Sequence, residues 1–187
     1  EGDHLVGTAI IDGSQDIMLF SSEGKAVRFA ETDVRAMGRV SKGVRGMRLP
    51  EEHKVISMVI PQTDGFLLTV CENGYGKRTL VGEFPTKGRG GKGMIAIQAS
   101  ERNGPLVGAT QLFSGDEIML ISDQGTMVRT RGDEVSVVGR NTQGVRIIRL
   151  KENENLVSLA RIAEPEEDDF IDSEGAEDSP ESNSSED

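Results

Sequence analysis

The strongest constraint on the fold of this chain is an internal repeat of about 50 residues. Four apolar pairs mark it, at spacings of 50, 51 and 50 residues: Leu5-Val6, Val55-Ile56, Leu106-Val107 and Leu156-Val157. Each of the first three pairs is followed by an apolar segment, a turn with glycine and an arginine in register, namely Arg28, Arg78 and Arg129. A repeat of this length is typical of supersecondary units that stack on one another, because one unit alone cannot bury its apolar face.

The segments inside each unit have the pattern of β-strands. They are short, rich in Val, Ile and Leu, and separated by Gly, Asp, Asn and Ser, which is typical of strands joined by tight turns. We therefore predict an all-β fold of propeller-like repeats, with four-stranded blades of about 50 residues. The blades are predicted at about 4–54, 55–104 and 105–154, with a closing strand at 155–162, so that residues 1–163 form the folded part.

Charge is distributed unevenly along the chain. The formal net charge is −11, but residues 164–187 hold 12 acidic residues and no basic one, which leaves +1 for residues 1–163. We predict that this acidic tail is disordered, because it has too little apolar content to offset the entropy of ordering. In residues 1–163 arginine is twice as frequent as lysine, and arginine is the side chain better suited to phosphate recognition.

The loop before the last strand of each unit carries the clearest functional pattern. These loops lie at residues 38–43, 88–93 and 139–144, and each begins and ends with glycine. Their cations recur in register: Arg39, Arg89 and Arg140 at one position, Lys42 and Lys92 at another. Glycine allows close approach of a ligand, and arginine and lysine donate charge-assisted hydrogen bonds to phosphate. One such loop is best interpreted as a turn with a solvated face, but recurrence over three units favours a basic stripe that contacts phosphates.

A second set of arginines follows these loops. Arg45 and Arg146 share one repeat position, and Arg48 and Arg149 share another. Residues i and i+3 of a strand point to opposite faces unless a bulge intervenes. We therefore predict that at least one arginine of each unit's pair is a structural ion-pair partner.

The sequence lacks the signatures of catalysis and metal binding. His4 and His53 stand far from any cysteine pair, and no Gly-x-x-x-x-Gly-Lys-Ser/Thr loop occurs, so neither a zinc site nor an ATP site is predicted. The single cysteine, Cys71, lies among apolar residues, which indicates a packing role in a reducing cytoplasm. No segment approaches the ~18 apolar residues of a membrane span. We predict that this chain alone is not an enzyme and binds no cofactor.

Residues 87–93 resemble the gyrase A box, a Gln-Arg-Arg-Gly-Gly-Lys-Gly motif. The match holds at the last five positions and fails at the first two, in a loop that consists of Lys87, Gly88, Arg89, Gly90, Gly91, Lys92 and Gly93. Residues 73–78, 83–87 and 138–144 are also similar to late blades of the same family, the DNA-wrapping C-terminal domains of bacterial gyrase A subunits.

The resemblance implies a β-pinwheel, a propeller-like disc of about six blades, whose basic rim wraps double-stranded DNA. It implies a parent topoisomerase that supercoils DNA negatively, uses ATP and Mg²⁺ in other domains, and pairs an A-subunit dimer with the gyrase B subunit. The family's catalytic tyrosine lies in a separate domain, and Tyr75 is not predicted to replace it. The residues predicted to contact DNA are Arg28, Arg39, Lys42, Arg78, Lys87, Arg89, Lys92, Arg129 and Arg140.

Two alternatives stay open at the level of sequence. One is a paralogous domain, the C-terminal domain of the topoisomerase IV C subunit; residues 138–144 favour gyrase over it. The other is a protein-binding β-propeller whose basic stripe is incidental, and such a surface would carry exposed aromatic side chains.

Overall fold

The computed structural model describes residues 3–163, and these residues form eleven β-strands and three short 3-10 turns, with no α-helix among them. The predicted acidic tail, residues 164–187, lies outside the described residues. The all-β prediction is confirmed. Three antiparallel hairpins supply six of the strands: β1 (Asp16–Ser21) with β2 (Lys25–Ala30), β4 (Phe66–Cys71) with β5 (Tyr75–Leu80), and β8 (Glu117–Ser122) with β9 (Met127–Arg131).

The remaining strands pair with a hairpin of the preceding repeat unit. The inner strands β3 (Val55–Val59), β7 (Leu106–Leu112) and β11 (Leu156–Ile162) pair with β1, β4 and β8 respectively. The outer strands β6 (Met94–Ile95) and β10 (Val145–Arg146) pair with β2 and β5. The sheet orders are therefore β3-β1-β2-β6, β10-β5-β4-β7 and β11-β8-β9. Contacts of β7 with β3 and with β11 place these three strands together on the inner side of the array.

Each four-stranded sheet thus combines the hairpin of one sequence unit with two strands of the next. The apolar pairs that open units two and three, at 55–56 and 106–107, lie in the sheets of units one and two. Leu5-Val6, the equivalent pair of unit one, lies in no strand, and Leu5 is 82% exposed. No hairpin among residues 3–163 pairs with this segment.

The core lies between and within the sheets and is built from the strand residues that the repeat predicts. Met18, Phe20, Leu67 and Leu120 are fully buried, among the members of two large apolar clusters. Cys71 is buried in the first cluster, and this burial raises the pKa of its thiol to about 12. A thiol in this state is a weak nucleophile, which fits a packing role.

Three 3-10 turns follow the hairpins and redirect the chain toward the outer edge. They span Glu31–Asp33, Val81–Glu83 and Gly132–Glu134. The box-like loops come next along the chain, directly before the outer strands β6 and β10. The fold therefore places the second and third glycine loops at the outer edges of the first and second sheets.

Candidate nucleic-acid interface

The last glycine of the second and third box-like loops lies against the hairpin that the loop joins. Gly93 and Gly144 have φ angles of +81° and +71°, and a Cβ atom there meets the backbone oxygens of Ala26 and Gly76 at 2.8 and 2.4 Å. Gly43, the equivalent residue of the first loop, also has a positive φ but has nothing within 4 Å of such an atom. The glycines at 93 and 144 are thus required by packing within the protein, and close approach of a ligand is not needed to explain them.

Backbone hydrogen bonds fix the second loop on the first unit. The N–H of Lys87 donates to the carbonyl oxygen of Arg28 at 2.7 Å, and the N–H of Gly90 donates to that of Gly46 at 2.7 Å. In the opposite direction, the N–H of Arg48 donates to the oxygen of Gly91 at 2.8 Å. The loop is therefore held in place by these bonds before any ligand binds.

The loop arginines Arg89 and Arg140 use one part of their guanidinium groups to bind the preceding unit. Nη1 of Arg89 donates to the carbonyl oxygen of Arg45 at 2.5 Å, and Nη1 of Arg140 donates to that of Ile95 at 2.8 Å. Residues 45 and 95 share a repeat position, so the contact itself repeats. Since a guanidinium has five N–H donors, both side chains keep donors for a phosphate while they hold the loops in place.

Arg28 and Arg78, two of the residues predicted to contact DNA, both bind the following repeat unit. Arg78 is 7% exposed, and its guanidinium donates to the carbonyl oxygens of Val135 and Asp133 and to the Asp133 carboxylate. Its Cζ also lies 4.8 Å from the centroid of the Phe66 ring. Arg28 pairs with Asp16 and donates to the oxygen of Phe84. The hydrogen bonds of these guanidinium groups are therefore made largely within the protein.

Arg129 occupies the same repeat position but has a different environment. Its side chain is 60% exposed and forms an ion pair with Glu117. The outer edge of β9 carries no further strand among residues 3–163. Within this described range the guanidinium of Arg129 contacts no following unit, in contrast to Arg28 and Arg78.

Four of the predicted contact residues are exposed cations of the box-like loops: Arg39, Lys42, Lys87 and Lys92. Within residues 3–163 none of them lies within ion-pair distance of a carboxylate. Lys87 and Lys92 line a common cleft of about 190 Å³ at the outer edge of the first sheet. This edge therefore presents positive charge that no carboxylate of residues 3–163 neutralises.

The prediction that one arginine of each following pair is a structural ion-pair partner is wrong. Arg45, Arg48, Arg146 and Arg149 are all exposed, and in the described part of the chain none of them forms an ion pair. Strand β10 ends at Arg146, so the alternation of faces does not extend to Arg149. Arg146 and Arg149 line the same cleft.

Lys77 holds the third loop from inside the protein. This lysine is 0% exposed, and its Nζ donates to the carbonyl oxygens of Gly139 and Arg140 at 2.6 and 2.7 Å. Units one and three carry valine at the same position, as Val27 and Val128. Burial lowers the pKa of Lys77 to about 8, because a charged amine is less stable away from water.

We expect this lysine to make stability depend on pH in a defined window. The unfolded chain keeps the amine protonated up to its usual pKa of 10.5, so between pH 8 and 10.5 the unfolded state binds more protons and the free energy of unfolding rises with pH. From pH 7.5 to 9 the rise is about 1 kcal/mol. Urea unfolding of the wild type and of Lys77→Met checks it, with exposed Lys54→Met as the control. The same pH dependence in wild type and Lys77→Met contradicts the assignment.

A comparison with protein families decides what kind of domain this is. A family model described as the DNA gyrase C-terminal domain, beta-propeller, matches residues 15–62, 65–111 and 116–163. The chain belongs to this family. Each of the three matched segments contains one of the three hairpins. The match confirms the propeller-like repeat and the resemblance to gyrase A subunits.

Curated relatives of this gyrase-family domain are DNA gyrase A subunits. The chain is 56% identical over 180 residues to the DNA gyrase A subunit of Escherichia coli (strain K12), which is 95% of this chain and 21% of the relative. It is 58% identical over 165 residues to the DNA gyrase A subunit of Pseudomonas aeruginosa, which is 88% of this chain and 18% of that relative. The chain thus spans about a fifth of the length of the curated relatives it matches.

Solved structures share the arrangement of this gyrase-family domain. A DNA gyrase A C-terminal domain superposes with a TM-score of 0.75 at 30% identity, over 82% of this chain and 52% of that one. The C-terminal domain of a DNA topoisomerase IV has the same TM-score at 22% identity, over 81% of this chain and 47% of that one. At this identity, the match to the topoisomerase IV domain shows only that the two chains share a fold.

The described residues of this gyrase-family domain show no group of three or more His, Cys, Asp or Glu side chains placed to hold a metal ion. No helix between residues 3 and 163 is long and apolar enough to cross a membrane.

Proposed function

We propose that this chain is a non-catalytic module that binds double-stranded DNA along its outer edge and holds the duplex bent. The observation that carries the proposal is the recurrence of unpaired cations on that edge, in the box-like loops and directly after them: Arg39, Lys42, Lys87, Lys92, Arg48, Arg146 and Arg149. Cations without a carboxylate partner among residues 3–163 are suited to phosphates. Arg89, Arg129 and Arg140 belong to the same proposed surface through their remaining donors.

The physics of DNA bending favours a contact surface that repeats. Bending a site of about 20–30 bp by about 40–90° costs on the order of 1–6 kcal/mol. One phosphate contact does not offset this cost, whereas one or two per blade along a curved edge do. Contacts to phosphates carry no base information, so binding is independent of sequence.

The parent protein proposed here is a gyrase A subunit. It would form a dimer, work with the gyrase B subunit in the bacterial cytoplasm, and use ATP and Mg²⁺ and a catalytic tyrosine in other domains for negative supercoiling. The family membership and the identity to gyrase A subunits support this proposal. The higher identity to the gyrase A structure than to the topoisomerase IV structure favours gyrase over its paralogue.

A protein-binding propeller is a weaker candidate. Its binding face would carry exposed aromatic side chains, and within residues 3–163 no Phe or Tyr is exposed. Tyr75, the one tyrosine, is half-buried and contacts two arginines. The surface of the described residues therefore offers cations and not aromatic anchors.

The test of DNA binding is a salt titration. With about five phosphates neutralised, the logarithm of the binding constant should fall with the logarithm of salt concentration at a slope of about −4 to −5. Fluorescence anisotropy with two duplexes of equal length and unrelated sequence measures the slope and the sequence preference together. A flat salt response, or a strong preference for one duplex, contradicts the proposal. Ligation of nicked circles at saturation tests bending around the domain, since a wrapped duplex shifts the linking number.

A further inference from the structure

We propose that a cleft beside the third box-like loop, formed by Arg146, Arg149 and Lys151, binds a phosphate of the DNA backbone. This inference rests on the proposed function and adds residues that the glycine-loop pattern does not contain. Three observations support the inference: the pairing of Arg146 with Tyr75, the cations that line the cleft, and the position of the cleft on the outer edge. Each part follows from contacts among the described residues.

Tyr75 positions Arg146 through the register of the outer strand. The two residues are opposite partners in the antiparallel pair of β5 and β10, so their side chains leave the sheet on the same face. Nη2 of Arg146 donates to the Tyr75 hydroxyl at 2.5 Å, and its Cζ lies 5.1 Å from the ring centroid. Arg102 also lies over this ring, with its Cζ 4.4 Å from the centroid. The tyrosine therefore holds two guanidinium groups at one place on the surface.

The cleft has a volume of about 490 Å³ and is lined by Arg146, Arg149, Lys151 and three asparagines, at 73, 153 and 155. Its one carboxylate, that of Glu154, accepts hydrogen bonds from the Ser122 hydroxyl and from the backbone N–H of Lys151. These bonds, with the one to Ser122 first, hold the pKa of Glu154 well below its usual range. Three cations therefore face one carboxylate whose oxygens are already bound, and the cleft keeps a positive charge.

The first sheet keeps a cation at the same place on its outer edge, although on the other strand. The equivalent cross-strand pair there is Lys25 and Ile95. Lys25 lines a cleft of about 250 Å³ together with Arg48, Lys92 and Glu23. Glu23 forms an ion pair with Lys25 at 2.6 Å, so Arg48 and Lys92 supply the positive charge of this cleft. In this cross-strand pair the cation is on the hairpin strand in the first sheet and on the outer strand in the second. Its position on the outer edge is the same in both sheets. Such preservation favours a ligand that passes along successive blades, as a duplex backbone does, over a small anion at one blade.

The test compares single and double variants by salt titration of duplex DNA binding. Arg149→Gln should reduce the salt slope by about one, and Arg146→Gln with Arg149→Gln by about two. The matched control is Lys54→Gln, which removes one exposed charge from the inner cavity that His4, Val55 and Leu106 line, and it should leave the slope unchanged. A double variant that keeps the wild-type slope overturns this inference while DNA binding stands. A wild type without salt-dependent binding overturns the proposed function itself.

Tyr75 gives a separate readout because it carries no charge. Tyr75→Leu should weaken DNA binding several-fold with the salt slope retained, since the arginines remain but are no longer held. Tyr75→Phe keeps the ring contacts and should have a smaller effect. Melting curves of each variant check that the blades stay folded. Inorganic pyrophosphate serves as the probe of a small-anion site: if Arg146→Gln abolishes its binding while the DNA salt slope is unchanged, the assignment to DNA is overturned.

Discussion

Replacing Arg78 with alanine is expected to lower the free energy of unfolding by about 3 kcal/mol, because a buried acceptor that loses its donor costs about 1–3 kcal/mol and two carbonyl oxygens lose theirs here. The variant leaves the carbonyl oxygens of Asp133 and Val135 without their donor and removes the contact with the Phe66 ring. Arg129→Ala is the matched control at the same repeat position, because its side chain is exposed and pairs with Glu117 only. A surface ion pair of this kind contributes about 0–1 kcal/mol.

Urea unfolding of the two variants beside the wild type measures both effects. Two-state behaviour is checked by comparing circular dichroism with tyrosine fluorescence from Tyr75. The expected result is a large loss for Arg78→Ala and a small one for Arg129→Ala. Equal small losses contradict the assignment of Arg78 as a tie between units and return this arginine to the set of surface cations.

Replacing Gly144 with alanine is expected to cost about 3 kcal/mol. The new Cβ meets the carbonyl oxygen of Gly76 at 2.4 Å, at a residue whose φ is +71°, so the variant adds a steric clash to backbone strain. Gly43→Ala is the matched control: it has a positive φ and open space around it, and strain alone costs about 1–2 kcal/mol. The difference between the two variants isolates the packing of the third loop on the second hairpin.

Thermal melts and DNA titrations of both glycine variants give complementary information. The packing explanation predicts that Gly144→Ala melts much lower than Gly43→Ala. The contrary result is that Gly144→Ala has the melting temperature of the wild type and a lower DNA affinity. In that case the glycine is needed for close approach of the DNA, and the packing explanation is wrong.

The repeat in the sequence predicted the hairpins, the apolar core positions and the position of the glycine loops. It did this because strand periodicity and turn chemistry are local properties of the chain. The exchange of strands between units was not predicted, since a spacing of about 50 residues does not say which hairpin the strand at 55–59 joins. The partner of that strand depends on a contact with β1, which no local pattern contains.

The candidate site was predicted in part for a similar reason. Repeat register identified Arg28 and Arg78 as equivalent to Arg129, but burial depends on the neighbouring unit, which the register does not show. Conversely, Arg146 and Arg149 were assigned to opposite faces because a long strand was assumed, whereas β10 has two residues. The signal for the cleft was present in the cross-strand position of Tyr75, and it required the pairing of β5 with β10.

Strand exchange also determines how such an array changes its length in evolution. Because the first and second hairpins each receive an inner and an outer strand from the following unit, a deletion of one whole period rejoins the same order of segments wherever the deletion begins. The strands that follow the junction then pair with the hairpin that precedes it, and no sheet is left incomplete inside the array. Recombination between genes therefore has no preferred boundary to respect, and the number of blades is free to vary without a linker between them.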